Sequence, residues 1–188
     1  SGDLDSAQKR LEEAVELNRK FNMRAGTTNM VIVISRIYSM QGDFETGRKL
    51  LENNIAEQKE FGYRMDVLWL RSQLGALLVR KGDVNEASRL LVDTANEFYE
   101  DGFEIGAVFA LESMAGVNSA LGNHSQAARL IGWADAMRKK VEDMRPSLEQ
   151  ADVDQVIEVC LANLGEAAFS DAYDEGQTMT TGQALAHC

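Results

Sequence analysis

The stretch "KGDVNEASRLL", Lys81–Leu91, sets a glycine and an aspartate in front of an amphipathic segment. Nearly the same phrase occurs three more times, as "SGDLDSAQKRL", "QGDFETGRKLL" and "LGNHSQAARLI". The glycines of the four copies are Gly2, Gly42, Gly82 and Gly122, and successive glycines are 40 residues apart. A fixed period of this length predicts one structural unit that is repeated along the chain.

Each copy has the pattern of a helix, a tight turn and a second helix. Asp43 and Asp83 are placed to cap the helix that follows the turn, and Glu86 completes a capping-box pattern with Asp83. Apolar residues recur at spacings of three and four before each glycine, as in "LWLRSQLGALLVR". A single helical hairpin cannot bury its apolar face, so we expect the copies to stack around a common core. Small residues stand five positions after each glycine: Ala7, Gly47, Ala87 and Ala127.

The composition excludes several classes of protein. The net charge of -11 makes the chain a poor candidate for contact with nucleic acid, because phosphates repel acidic surfaces. Two cysteines, Cys160 and Cys188, do not make a disulfide framework and fit a reducing compartment, so we expect a cytoplasmic location. No apolar run is long enough for a membrane span, and no signal peptide is recognisable.

The repeated columns resemble the tetratricopeptide repeat. The matching residues are Leu74-Gly75, Tyr38, Gly42-Asp43-Phe44, Gly82-Asp83, Ala87 and Ala127. The period of 40 is longer than the usual one of about 34, Arg71 replaces a large apolar residue, and the closing proline is missing. The resemblance implies an all-α, right-handed α–α solenoid of tetratricopeptide-like hairpins with a 40-residue period.

The expected organisation is one helical-repeat domain over residues 1–188. It comprises a half repeat (1–22), three repeats (23–62, 63–102 and 103–145), and a C-terminal hairpin with a capping helix (146–188). Because the sequence starts in the middle of a repeat, we expect it to be an excised part of a larger protein.

The tail from His124 to Cys188 is similar to the C-terminal end of the helical sensor region in bacterial signalling ATPases. These are LuxR-type regulators related to the maltose-regulon activator. The resemblance rests on Leu164-Gly165-Glu166, Phe169, the Tyr173-x-x-Gly176 segment and a final helix from about Thr181. It implies a parent protein with an ATPase domain and often a helix-turn-helix output domain. The sequence contains no phosphate-binding loop.

The tetratricopeptide resemblance also implies a concave groove lined by the first helix of each hairpin. Residues 13, 10, 9 and 6 positions before each glycine would face it. For Trp69 and Phe109 an alternative role, packing between adjacent hairpins, remains open. The predicted binding residues are Asn29, Arg36, Trp69, Ser72, Gln73, Phe109, Glu112 and Ser113, with Ile32, Val33, Ala76 and Gly116 at the remaining positions.

These patterns favour a non-enzymatic regulatory module that binds a protein or peptide partner, or the ATPase and output domains of its parent, through the groove. The alternative is a small-molecule sensor of the same regulator class. No catalytic, metal-binding or cofactor-binding constellation is recognisable, and His124 fills a column otherwise occupied by apolar residues. A second copy of the chain is a further expected partner, through the apolar face of the helix from Asp3 to about Phe21.

Overall fold

The structure, a computed structural model, describes residues 2–21 and 26–188, without the side chains of residues 2–5 and 19. These residues form α-helices and turns, and no strand occurs among them, so the all-α prediction is confirmed. The predicted boundary between residues 22 and 23 lies outside the described part. The helices are α1 (Gly2–Lys20), α2 (Thr27–Met40), α3 (Phe44–Glu60), α4 (Arg64–Lys81), α5 (Val84–Glu100), α6 (Glu104–Ala120), α7 (His124–Lys140), α8 (Ser147–Leu164), α9 (Glu166–Gln177) and α10 (Thr181–Leu185).

Three of the repeated glycines, Gly42, Gly82 and Gly122, lie in the turns that end helices, whereas Gly2 is the first residue of α1. Gly42 lies between α2 and α3 with φ of 79°, a left-handed conformation that a side chain would disfavour. The N–H of Asp43 donates to the carbonyl of Tyr38 at 2.9 Å, which satisfies a carbonyl at the end of α2. Gly122 makes the same turn between α6 and α7, with φ of 81°.

The predicted helix caps are confirmed only in part. Asp43 accepts a hydrogen bond from the N–H of Thr46 at 3.1 Å, as a capping residue does. Asp83 makes no side-chain cap on α5 within the described chain, so the expected capping box is wrong. The physical reason is that the N–H of Glu86 already donates to the backbone carbonyl of Asp83 at 3.2 Å.

The described residues form two compact units, of which the first ends at Lys81 and the second is Gly82–Cys188. In the first unit, α2 packs against α1, α3 and α4. Gly47 on α3 is in the predicted small column, and its absent Cβ would lie 3.2 Å from the carbonyl oxygen of Ser35 on α2. A small residue here therefore lets the two helices approach closely. Val31, Leu51 and Leu77 are fully buried in this unit.

The second unit is built around α6 and α7. α6 packs against α5, α7 and α8, whereas α7 also packs closely against α9. α10 lies against α5, α6 and α7. The largest buried side chains of this unit are Trp133, Phe98, Leu91, Leu111, Met114 and Leu130.

Two glycines set the approach of α7 to α9. A Cβ on Gly132 would lie 2.1 Å from the carbonyl oxygen of Tyr173, and one on Gly176 would lie 2.1 Å from that of Arg129. Both distances are far inside van der Waals contact, so only glycine fits at either position. The "Tyr173-x-x-Gly176" segment singled out in the sequence is thus the contact that holds α9 on α7.

Candidate binding surfaces

The first unit carries five of the predicted groove residues, on α2 and α4. Asn29 and Val33 are exposed on α2, and 43% of Val33 is accessible to solvent. Arg36, one turn further along α2, is half-buried. Because residues 29, 33 and 36 are spaced by three and four, they share one face of the helix.

The neighbouring helix α4 packs against α2 and carries two further predicted groove residues that are accessible. Trp69 and Gln73 on α4 are both half-buried and share a helix face. We call Asn29, Val33, Arg36, Trp69 and Gln73 the α2/α4 surface. It combines one large aromatic and one exposed aliphatic side chain with two amides and a guanidinium.

Ser72, which the sequence also assigned to the groove, is buried in the interior, where 2% of it is exposed. Its hydroxyl has no hydrogen-bond partner among the described residues. A buried hydroxyl without a partner costs about 1–3 kcal/mol of desolvation. Ser72 is therefore a core residue of α4 whose hydroxyl lacks a hydrogen-bond partner among the described residues. Gln73, the next residue, remains accessible.

The second unit carries the other three predicted residues, all on α6. Phe109 and Ser113 are half-buried, and the Ser113 hydroxyl donates to the carbonyl of Phe109 at 3.3 Å. This bond within the helix satisfies the serine hydroxyl locally. Phe109 contacts a cation: the guanidinium carbon of Arg138 lies 4.5 Å from the centre of its ring.

Glu112 is a buried charge held by Arg138 of α7. Arg138 Nε donates to Glu112 Oε1 at 2.8 Å, and Arg138 Nη2 donates to Glu112 Oε2 at 2.7 Å. The two side chains are only 4% and 7% exposed. Burial opposes the charge of Arg138, but the hydrogen bond and charge of Glu112 outweigh it and raise the pKa of the guanidinium. Arg138 and Glu112 thus form a bidentate ion pair that is shielded from water.

A second arginine, Arg145 in the turn between α7 and α8, reaches the same carboxylate. Its Nε donates to Glu112 Oε1 at 2.9 Å, and its Nη2 donates to Asp135 Oδ1 of α7 at 2.5 Å. Burial opposes the charge of Arg145, yet Glu112 and then Asp135 raise its pKa overall. Its Nη1 also donates to Gln150 of α8 at 2.9 Å.

The network extends to α9 and to the turn itself. The Tyr173 hydroxyl donates to Asp135 Oδ2 at 2.7 Å. Burial, together with this hydrogen bond and the negative charge of Asp135, raises the pKa of Tyr173 to about 12. Arg138 also pairs with Asp143 in the turn and lies 3.4 Å from Glu149 of α8. We call the group the ion cluster; its charged members are Glu112, Asp135, Arg138, Asp143, Arg145 and Glu149.

The ion cluster changes how the predicted α6 residues are interpreted. Glu112 was expected to offer a charge to a ligand, but it is enclosed by two guanidinium groups. Its carboxylate therefore holds the unit together, because buried ion pairs lose several kcal/mol when one partner is removed. Of the predicted α6 residues, only Phe109 offers substantial apolar surface.

The sequence contained one overlooked signal for this cluster. Sixteen positions after each repeat glycine stand Asn18, Gln58, Phe98 and Arg138. Gln58 and Phe98 are buried, so an arginine in this column indicates a buried charge that needs a carboxylate partner. The partner itself, Glu112, is 26 residues away on another helix and follows from no local pattern.

Across residues 2–21 and 26–188, no group of three or more His, Cys, Asp and Glu side chains is arranged to hold a metal ion. His124 is half-buried at the start of α7. Cys160 is buried and unpaired, and burial raises the pKa of its thiol. Over the same residues, no helix has the length and apolarity that a bilayer crossing requires.

The chain was also compared with known proteins. No family model, no curated protein and no solved structure shows a significant match to it.

Proposed function

We propose that the chain is a non-enzymatic binding module that recognises a protein or peptide partner on the α2/α4 surface. The supporting architecture is a right-handed solenoid of tetratricopeptide-like hairpins with a 40-residue period. The observation that carries the proposal is the presence of Trp69, half-buried, on a helix packed against the one that exposes Val33.

The chemistry of this surface suits an extended or helical peptide. An aromatic ring flanked by an aliphatic side chain provides an anchor of the kind that dominates protein interfaces. The amides of Asn29 and Gln73 supply both donors and acceptors, which match the backbone groups of a peptide. The preferred ligand therefore combines an apolar side chain with accessible backbone groups.

Peptides selected from a phage-displayed library against the purified protein provide the test. We expect Trp69→Ala to raise the dissociation constant of a selected peptide by about tenfold or more, because aromatic anchors carry most of the binding energy. Val33→Asp, an exposed substitution that leaves the core intact, should weaken binding as well. Tyr63→Ala, which removes an exposed aromatic residue of the same unit, is the matched control. Equal affinities for the wild-type protein and all three variants would exclude this surface.

A small-molecule effector is the second candidate, and one observation favours it. Ser72 has a buried hydroxyl that no described residue satisfies, so a small polar ligand next to α4 could supply the missing partner. Ligand at a hundred times its dissociation constant adds about 2.7 kcal/mol to the free energy of unfolding. A thermal-melt screen of sugars, nucleotides and other metabolites should then give a shift that Ser72→Ala abolishes.

We further propose that the module belongs to a cytoplasmic bacterial regulator of the LuxR-type signalling ATPases. The resemblance of residues 124–188 to that class supports this assignment. Partner binding would then bias the module against the ATPase and output domains of the parent. A parent chain whose ATP hydrolysis does not respond to a peptide that binds the α2/α4 surface would refute this part.

A further inference from the structure

The turn between α7 and α8 is held by ion pairs on its inner side and exposes a large apolar side chain on its outer side. Asp143 is paired with Arg138, and its N–H donates to the carbonyl of Arg138 at 3.0 Å. Arg145 is bound to Glu112, Asp135 and Gln150. Between these two anchored residues, Met144 is 89% exposed. The ion cluster therefore fixes a turn whose central side chain, Met144, is exposed to solvent.

Further exposed apolar residues continue from this turn along α8. Val141 and Leu148 flank Met144, and Val159 is exposed three turns beyond Leu148. Ala151 and Gln155 lie between Leu148 and Val159 on the same helix face, and Ala162 follows Val159 on it; all three are exposed and carry no charge. α8 packs against α6, α7 and α9 through its other side, on which Val153 and Cys160 are buried.

The charge along α8 and the rest of the C-terminal segment has one sign, whereas Lys139 and Lys140 are exposed at the end of α7, before the turn. Residues 146–188 contain eight acidic residues and no Lys or Arg. Asp154 and Glu158 are exposed on one border of the uncharged face, and Asp152 lies on the other. The acidic residues are Glu149, Asp152, Asp154, Glu158, Glu166, Asp171, Asp174 and Glu175.

We propose that Met144, Leu148 and Val159 form a docking surface, the α8 surface, for an amphipathic helix with Lys or Arg on both sides of its apolar stripe. The apolar side chains require an apolar partner, and the acidic borders select a basic one. A second copy of this chain is disfavoured, because pairing two α8 surfaces would bring the acidic borders together. The 18 residues of α8 extend for about 27 Å, which accommodates five turns of a partner helix.

The ion cluster gives this surface an advantage that a mobile turn would lack. Ordering a loop or a flexible side chain on binding costs free energy for each group that is immobilised. Here the backbone on both sides of Met144 is already held by buried charges. Methionine also adapts its shape to different apolar pockets, which suits a residue at the centre of a recognition surface.

The test uses a fluorescein-labelled synthetic helix with leucines at positions i, i+4, i+7 and i+11 and lysines on the flanking positions. Its binding to the purified protein is followed by fluorescence anisotropy at about 0.15 M salt. We expect saturable one-to-one binding. A peptide of the same composition, scrambled so that the leucines no longer share a face, should bind at least about tenfold more weakly.

Two matched pairs of variants locate the site. Met144→Ser with Leu148→Ser should raise the dissociation constant about tenfold, whereas Leu121→Ser, at another exposed apolar residue of this unit, should leave it within about twofold. Asp154→Asn with Glu158→Gln should weaken binding more than Asp171→Asn with Asp174→Asn, which removes the same charge from α9. Circular dichroism establishes that each variant is folded.

The outcomes separate the α8 surface from the α2/α4 surface. Trp69→Ala should not change the affinity for the lysine-leucine helix. The proposal is overturned if the scrambled peptide binds equally well, if the control variants weaken binding as much as the α8 variants, or if Trp69→Ala alone abolishes it.

Discussion

Replacing Glu112 by glutamine tests the central feature of the second unit. The substitution preserves shape but removes the negative charge that Arg138 and Arg145 share. Four hydrogen bonds are affected, two from each guanidinium group to the carboxylate oxygens of Glu112. Both arginines are less than a tenth exposed, so water cannot replace the lost charge.

The expected cost follows from the burial of the partners. Removing one member of a buried ion pair typically costs 3–5 kcal/mol, because the remaining charge stays desolvated. Arg138 retains Asp143, and Arg145 retains Asp135, so we expect the lower end of this range, about 3 kcal/mol. For a chain of this size, a loss of about 3 kcal/mol lowers the melting temperature by about 6–12 °C.

Urea denaturation followed by circular dichroism measures this difference, and Glu175→Gln is the control. Glu175 pairs with Arg129 in the same unit at 2.7 Å, but its side chain is 56% exposed. Exposed pairs contribute about 0–1 kcal/mol, so this control should be nearly neutral. If Glu112→Gln costs less than about 1 kcal/mol and matches Glu175→Gln, the carboxylate is solvated and the argument for a buried cluster is wrong.

Three further predictions concern other parts of the molecule. Gly176→Ala should destabilise the protein by about 1–3 kcal/mol in urea denaturation, since its methyl group would meet the backbone of α7. Gly182→Ala, whose methyl group would meet only the Tyr99 hydroxyl at 3.9 Å, an ordinary contact distance, should be neutral. The native pKa of Tyr173, about 12, is higher than the ordinary value of 10.0. The stabilisation that the protonated Tyr173 hydroxyl contributes is therefore complete below pH 10 and is lost as the pH rises to 12. Tyr173→Phe should remove this part of the loss of stability at alkaline pH. If the free energy of unfolding of the variant depends on pH as that of the wild type does, the raised pKa of Tyr173 is contradicted. Leu17 on α1 and Phe21 beside it have exposed apolar side chains, which predict concentration-dependent dimers in sedimentation velocity. The double variant Leu17→Ser with Phe21→Ser should abolish these dimers. A wild-type protein that is monomeric at all concentrations would exclude this contact.

The sequence predicts local structure in this chain well where a single residue determines it. Gly42 and Gly122 could be assigned to helix ends because a left-handed residue at that place favours glycine. The cap at Asp43 followed from the same local pattern. Asp83 matched the pattern equally well but does not cap, since the backbone there satisfies the N–H group first. Such a choice between the backbone carbonyl and the side-chain carboxylate of the same residue depends on geometry that a sequence pattern does not contain.

The contacts that define the candidate surfaces were harder to predict. Arg145 lies 33 residues from Glu112, in a turn with no periodic pattern, so only the folded chain identifies the pair. Ser72 was assigned to the groove through the tetratricopeptide resemblance, but it is buried, whereas Gln73, about 100° further round the helix, is accessible. The contact between Gly132 and Tyr173 likewise joins residues that no repeat column relates.

The contacts of Gly132 with Tyr173 and of Gly176 with Arg129 have a mechanical consequence for the second unit. Where two helices touch through side chains, a rotamer change can absorb a small displacement of one helix. Here the backbones of α7 and α9 are in direct contact, so no change of rotamer can absorb such a displacement. A displacement of α9 should therefore displace α7 by the same amount. It should also displace Asp135 and Arg138, the two residues of α7 that belong to the ion cluster. The C-terminal part of the chain and the exposed turn at Met144 should accordingly move as one rigid piece.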